Sequence, residues 1–376
     1  MTRPSLRHLQ FPVSCASGRR YPELPHPYRN EFQRDRDRVV HARAFRRLED
    51  KTQVFAAGVS DHFRNRLTHT LEVSQIARTV ARVLELDEDF TEALALAHDI
   101  GHPPFAHAGE QELNRKMQRF GEHFDHNLHA LRIVETFEHR YARFPGLNLT
   151  FEVREGIVKH SRDFELGEFR ELDEFLPGQR PPLEAQLIDV CDEIAYNTAD
   201  LDDAWSAGFL AVDALREGVP RFAELYSRAE MQFPGAPERI RFSEVVRSLL
   251  NWLVGSLIEG TYQAAEAAGM RDVEDVRCFR QRVATFPVEA QETNAQLKEM
   301  LRQHVYLSEA VASERSESTA KIARMFDFFL EHPERLPENY RRETDRQPLH
   351  RTVCDYIAGM TDGFFLRTYQ QIFCGS

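Results

Sequence analysis

The chain has 376 residues, 42% of them hydrophobic and 29% charged, the balance of a water-soluble globular protein rather than a disordered or fibrous one. Its formal net charge of −12 disfavours broad binding to nucleic acid or to an anionic membrane, while leaving room for a local basic pocket. No apolar run approaches the roughly 18 residues of a bilayer span, the N-terminal MTRPSLRHLQFPVSCASGRRYP has no apolar leader core, and the five cysteines (15, 191, 278, 354 and 374) form no CxxC pair. These features predict a cytoplasmic protein with reduced thiols.

Residues 1–28 carry prolines at 4, 12, 22, 25 and 27 and little periodicity, which predicts an irregular arm. From about Asn30 the apolar residues recur with helical period: Val39, Val40, Ala44, Phe45 and Leu48, then Leu71, Val73, Ile76, Val80, Val83 and Leu84. The arginines at 29, 34, 36, 38, 43, 46 and 47, mixed with Glu31, Asp35 and Asp37, read mostly as a salt-bridged solvated helix. EDFTEALALAHDIGH predicts a short apolar helix stopped by Gly101 and Pro103-Pro104. Helices are predicted near 107–119, 125–141, 151–160 and 183–204, with a surface loop over 165–182. More follow near 239–268, 289–303, 314–331 and 348–373, and Arg282–Val288 is the one stretch with strand character. The fold class is therefore all-α. An arm over 1–28 leads into a core over 29–205, and a C-terminal helical region over 206–376 packs on that core with no visible linker.

AHDIGHPPFAHAGE, residues 97–110, holds His98, Asp99, His102, His107 and Glu110, although sixteen histidines spread over 376 residues would put fewer than one in such a window. His98 and Asp99 sit where a helix breaks, which frees adjacent side chains from pointing about 100° apart. Upstream, Arg66 and His69 share a helix face. Downstream, Asp192, Tyr196 and Asp200 do so at i, i+4 and i+8. A buried face carrying two carboxylates calls for a partner or a metal. Singly, each residue is more often a cap, a satisfied core group or an exposed charge. In the order H…HD…D, two imidazoles and two carboxylates suit a divalent Mn, Fe, Co or Zn and can accept Mg. A cysteine-based structural zinc site is excluded by the cysteine positions.

This order resembles the HD phosphohydrolase superfamily. FRRLEDKTQVF (45–55), RLTHTLEVSQIAR (66–78), ALAHDIGHPPFAHAGE (95–110), HFDHN (123–127), LTFEVREGIVKHS (149–161), DVCDEIAYNTADLDD (189–203) and DYIAGMTDGF (355–364) narrow it. Together these blocks are similar to the deoxyguanosinetriphosphate triphosphohydrolase family. The resemblance runs from about Tyr28 to Phe364 and implies an HD-type helical core. It also implies a divalent metal, Mg or Mn first, held by His69, His98, Asp99 and Asp192. It assigns a histidine–acid pair, His107 and Glu110, near the α-phosphate, with His102 and His126 lining the same cleft. Gln53 would meet the sugar 3′-hydroxyl, and Arg66, Lys159, Tyr196 and Asp200 would hold phosphates and sugar. The implied reaction releases a deoxynucleoside and inorganic triphosphate from a dNTP. The implied assembly is a tetramer or hexamer activated by a second dNTP, with nucleic acid not the main partner. Other HD-type activities, a phosphodiesterase or 5′-nucleotidase, and a non-catalytic nucleotide sensor are the alternatives.

Overall fold

Helix starts follow from side-chain caps. Asn30 accepts the Gln33 backbone N–H (2.7 Å) while the Gln33 side chain accepts the Asn30 N–H (3.1 Å), a reciprocal box that opens α1 (Glu31–Val40). Asn65 and Thr68 form the same box at the start of α2 (Arg66–Leu84), and Asp87 caps α3 (Glu88–Ala97). After the histidine-rich turn come α4 (Ala106–Gln118), α5 (His126–Arg132, capped by Asp125), α6 (Phe151–Val158) and α7 (Leu183–Ser206). The C-terminal part contributes α8 (Glu238–Ala267), α9 (Val288–Leu301), α10 (Glu309–Glu331), α11 (Leu349–Ala358) and α12 (Asp362–Phe373). This computed structural model describes residues 4–53 and 64–375, so Val54 and Phe55, which close the KTQVF block, lie outside the described residues.

The fold is all-α. Among the described residues the only extended pairings are two isolated bridges, Arg19 with Thr150 and Thr52 with Asn65. The strand character expected at Arg282–Val288 does not become a strand. That stretch is an extended connection into α9, pinned where Gln186 Oε1 accepts the Val283 N–H (2.7 Å). The helix expected over 125–141 ends early in a π-helical turn, Ile133–Phe137, and the one expected over 348–373 is two helices, because Thr361 caps a new start. Leu71 was expected on the buried face of α2 but is 51% exposed. It lies two residues, about 200° of helix, from Val73, which is buried with Ile76, Val80 and Leu84.

α2 packs on α3 and α7, α1 lies on α3, and α8 crosses α7 and α2. The apolar cluster they share runs from Leu6 to Val305 and passes residue 206 without interruption. A second cluster joins Leu113 and Met117 of α4 to Met325 and Phe326 of α10 and Phe365 of α12, so C-terminal helices back the histidine-bearing helix. The arginines of α1 are ion-paired as expected, Arg36 with Asp37 and Arg34 with Glu31. Arg34, Arg38 and Asp35 are nevertheless buried, because the N-terminal arm folds over them and supplies Arg19 and Glu23. Among the described residues no helix is long and apolar enough to cross a membrane.

The arm is anchored by Leu6, Leu9 and Phe11, all buried, and by Glu184 at the start of α7, which accepts the N–H of Phe11 (2.9 Å) and of Asp87 (3.3 Å). Burial pushes the Glu184 carboxyl up to about 7, and the backbone donors offset only part of that. The native state therefore keeps a proton that the unfolded chain releases near pH 4.5, so this group's contribution to stability falls as pH rises from there towards 7. Glu184→Gln should remove the dependence. Between pH 5 and pH 8 the wild type should lose on the order of 2–3 kcal/mol relative to the variant, as read from urea unfolding at both pH values. An equal gap between the two proteins at both pH values would contradict this.

Candidate metal centre and active site

The chain leaves α3 at Ala97 and turns through His98–Gly101. A Cβ on Gly101 would lie 2.0 Å from the His126 carbonyl oxygen and 2.5 Å from Ala130 N, so a residue without a side chain is what lets this turn press against α5. His98 donates from Nδ1 to the Ala95 carbonyl (2.6 Å). Among the described residues its Nε2 is then a buried lone pair without a hydrogen-bond partner, the usual state of a histidine fixed for ligation. That Nε2 is 3.6 Å from Asp99 Oδ1 and 3.8 Å from Asp192 Oδ1 of α7. His69 of α2 brings its Nε2 to 2.8 Å from the same Asp192 oxygen. Donor atoms of His69, His98 and Asp99 lie within 4.8 Å of one another, a spacing that suits a single ion about 2.0–2.2 Å from each.

The charges are set for a cation. Burial pushes the Asp99 carboxyl up, but Arg66 (Nη1 2.9 Å from Oδ2), His102 (Nδ1 2.9 Å from Oδ1) and His98 outweigh it and hold Asp99 well below the usual carboxylate range. Burial also opposes ionisation of Asp192, and contacts with His160, His69 and His98 hold it well below that range too. Both carboxylates are thus anionic at neutral pH. Two buried imidazoles with these two carboxylates form a donor set that fits a divalent cation.

Phe105 and Ala106 take up left-handed backbone conformations (φ 62° and 52°), a strained pair of the sort that clusters at functional sites. Asp362, at the start of α12, holds this turn. Its Oδ1 accepts the Phe105 N–H (3.0 Å), its Oδ2 accepts the Thr52 N–H (2.8 Å), and the Phe105 ring stands edge-on to Phe365. The turn delivers His107 to the first turn of α4, with its side chain 73% exposed and Nδ1 3.4 Å from Glu110 Oε2. The other Glu110 oxygen accepts the His126 N–H (3.0 Å) and contacts its Nδ1 (2.7 Å), so one carboxylate orients two imidazoles. Burial raises the Glu110 pKa, yet His107 and His126 outweigh it and keep the group fully ionised. The His102 ring stacks on His126 at 3.9 Å, and burial with nearby Arg66 holds it neutral.

All of this opens into one cavity of about 580 Å³. Gln53, Arg66, His69, Asp99, His102, His107, His126, Asp192, Tyr196 and Asp200 line it, and His98 and Glu110 stand just behind through the contacts described above. Lys159 is placed elsewhere. Its Nζ is buried against Glu155, one turn earlier on α6 (2.8 Å), and donates to the Leu176 and Gln179 carbonyls (3.0 and 2.9 Å). Gln53 Oε1 is buried with no hydrogen-bond partner among the described residues. Burial pushes Asp200 up to about 7, although the Tyr306 hydroxyl donates to its Oδ2 (2.5 Å).

The HD domain family matches residues 66–197, and the phosphohydrolase-associated domain matches residues 284–371. A deoxyguanosinetriphosphate triphosphohydrolase-like protein of Geobacter sulfurreducens is 42% identical over 361 residues, covering 96% of this chain and 93% of its own. Proteins of the same description from Ralstonia nicotianae and Azoarcus sp. are 45% and 44% identical, over 95% and 96% of this chain and 91% and 94% of theirs. The chain belongs to the deoxyguanosinetriphosphate triphosphohydrolase-like family.

As an HD-domain phosphohydrolase of this family, the chain draws its four-donor cluster from the HD segment, whereas the Asp362 clamp comes from the phosphohydrolase-associated segment. Sequence reasoning missed several groups in and around this cavity. His160 lines the cavity and follows Lys159 in the KHS tripeptide. Asp189 lies one helical turn before Asp192, a spacing that could have revealed it. Tyr306 and the α10 wall (Val311, Glu314, Arg315, Ser318) carry no local signal, because they reach the cavity from far along the chain, and Asp362 was read only as part of the DYIAGMTDGF block.

Proposed function

We propose that this protein hydrolyses deoxynucleoside triphosphates to the deoxynucleoside and inorganic triphosphate. The observation that carries this reading is the shared cavity, in which the four-donor cluster and the His107–Glu110–His126 group meet in a space of nucleotide size. Kinship with the deoxyguanosinetriphosphate triphosphohydrolase-like relatives supports the substrate class. His69, His98, Asp99 and Asp192 would hold a divalent ion, Mg or Mn first, which when bound neutralises charge on the reacting phosphate and favours ionisation of water.

This chain's own residues do the rest. Arg66 and Arg315 bring positive charge to a substrate carrying about four negative charges, in a protein that is acidic overall. Gln53 Oε1 is a buried acceptor with no donor among the described residues, and the sugar 3′-hydroxyl would supply one. Tyr196, with Asp200 and Tyr306 behind it, narrows the sugar side against a 2′-hydroxyl. In the hydrolysis a water oxygen bonds to the α-phosphorus and the bond from that phosphorus to the 5′-oxygen breaks. The 5′-oxygen keeps the electron pair and gains a proton. His107, held by Glu110, is the group that moves a proton at this centre.

A product assay tests the reading. The protein is mixed with each dNTP and with GTP, in Mg or Mn, and products are resolved by anion exchange. Deoxynucleoside plus triphosphate is the expected result. Diphosphate or monophosphate would point to another HD-type phosphohydrolase, and no turnover with any metal would point to a nucleotide sensor.

A further inference from the structure

We infer that His160 is a fifth protein donor to the divalent ion, held in place by a relay that starts in the C-terminal part of the chain: Arg282 to Asp189 to His160. The inference rests on the proposed metal-dependent reading. His160 lies just past the end of α6, buried, on the cavity wall. Its Nε2 is 3.7 Å from Asp192 Oδ2, and donor atoms of His98, His160 and Asp192 lie within 4.8 Å of one another. The two Asp192 oxygens are thereby divided, Oδ1 towards His69 and His98, Oδ2 towards His160.

A core histidine needs only to satisfy its nitrogens, and this one is built differently. Asp189 Oδ1 lies 2.7 Å from His160 Nδ1, a close contact bent away from the ring N–H axis, so a carboxylate sits behind the ring while Nε2 faces the cluster. A carboxylate beside an imidazole is the usual support of a metal-ligating histidine, and here Asp189 supplies charge and orientation rather than a hydrogen bond. Asp189 is in turn fixed from two directions. The Ser161 N–H donates to its Oδ1 (2.8 Å), and the Arg282 guanidinium pairs with its Oδ2. Arg282 also donates to the Lys159 carbonyl (2.7 Å) and the Arg162 carbonyl (2.8 Å), bracketing the His160 backbone. Three elements, the end of α6, α7 and the connection into α9, thus converge on one imidazole that points at Asp192.

The test measures metal directly. Full-length wild type, His160→Ala and Arg282→Gln are titrated with Mn2+ by following free Mn2+ in electron paramagnetic resonance, and their Co2+-loaded forms are compared by visible absorption. His160→Ala should weaken Mn2+ binding about 10–100-fold and change the Co2+ spectrum, and Arg282→Gln should do the same to a smaller degree. His160→Asn, which keeps a polar group, substitutes if the alanine variant is unfolded by circular dichroism. Unchanged Mn2+ affinity and Co2+ spectrum, with a raised KM for dNTP, would overturn the inference and make His160 a substrate contact. A wild type that binds no divalent ion would instead bring down the metal-dependent reading, and the inference with it.

Discussion

Asp99→Ala should abolish metal binding and cut kcat/KM by at least about 10³-fold, since a metal's charge stabilisation at a reacting phosphate is worth several kcal/mol. Asp99 is the hub of the cluster, touching His98, His102 and Arg66, and is one of the four donors proposed for the ion. Its removal does more than subtract one ligand. It leaves the Arg66 guanidinium buried (2% exposed) without its carboxylate, a positive charge placed where a cation must bind. An uncompensated buried charge costs about 3–5 kcal/mol of stability, so part of the loss would appear as a lowered melting temperature. Asp99→Asn separates the two effects, because it keeps the shape and an acceptor for Arg66 but not the charge. Metal content, circular dichroism and kcat/KM measured on both variants decide the matter. A variant that keeps wild-type metal affinity would remove Asp99 from the ligand set.

His107→Ala should behave in the opposite way, keeping the ion and the fold but losing about 10²–10⁴-fold in kcat, the usual worth of a positioned acid–base group. Its side chain is 73% exposed and touches Glu110 at only 3.4 Å, so little packing is lost with it. Glu110 keeps its second partner, His126, and stays ionised. Melting temperature and Mn2+ affinity should match wild type, with the loss in kcat rather than in KM. A near-wild-type rate would transfer the proton-moving role away from His107.

The part of the site that was legible in the sequence is the part whose chemistry forces both residue type and local spacing. His98-Asp99 at a helix end, His107 and Glu110 three apart, and Asp192, Tyr196 and Asp200 at i, i+4 and i+8 all face one cavity, with Glu110 and His98 just behind its wall. Lys159 shows the limit of that logic, because an adjacent Glu155 on the same helix face captures its ammonium and turns it inward. Helix boundaries were readable where a proline or a strong cap marked them, and the split between α11 and α12 was missed although the Thr361 cap marks it locally. The roles of Asp362, although it lies in the DYIAGMTDGF block, and of Arg282 were not legible for a different reason. Both act through contacts to segments far away along the chain, and periodicity carries no record of such contacts.

The Asp362 clamp has a temporal side. His69, His98, Asp99 and Asp192 all precede residue 193, whereas the contact between Thr52 and Asp362 closes a span of 310 residues. A chain synthesised N-terminus first thus carries these four side chains long before α12 exists to lock the Phe105–Ala106 turn. A chain truncated before α12 would keep all four of these side chains and lose the clamp on the turn that carries His107.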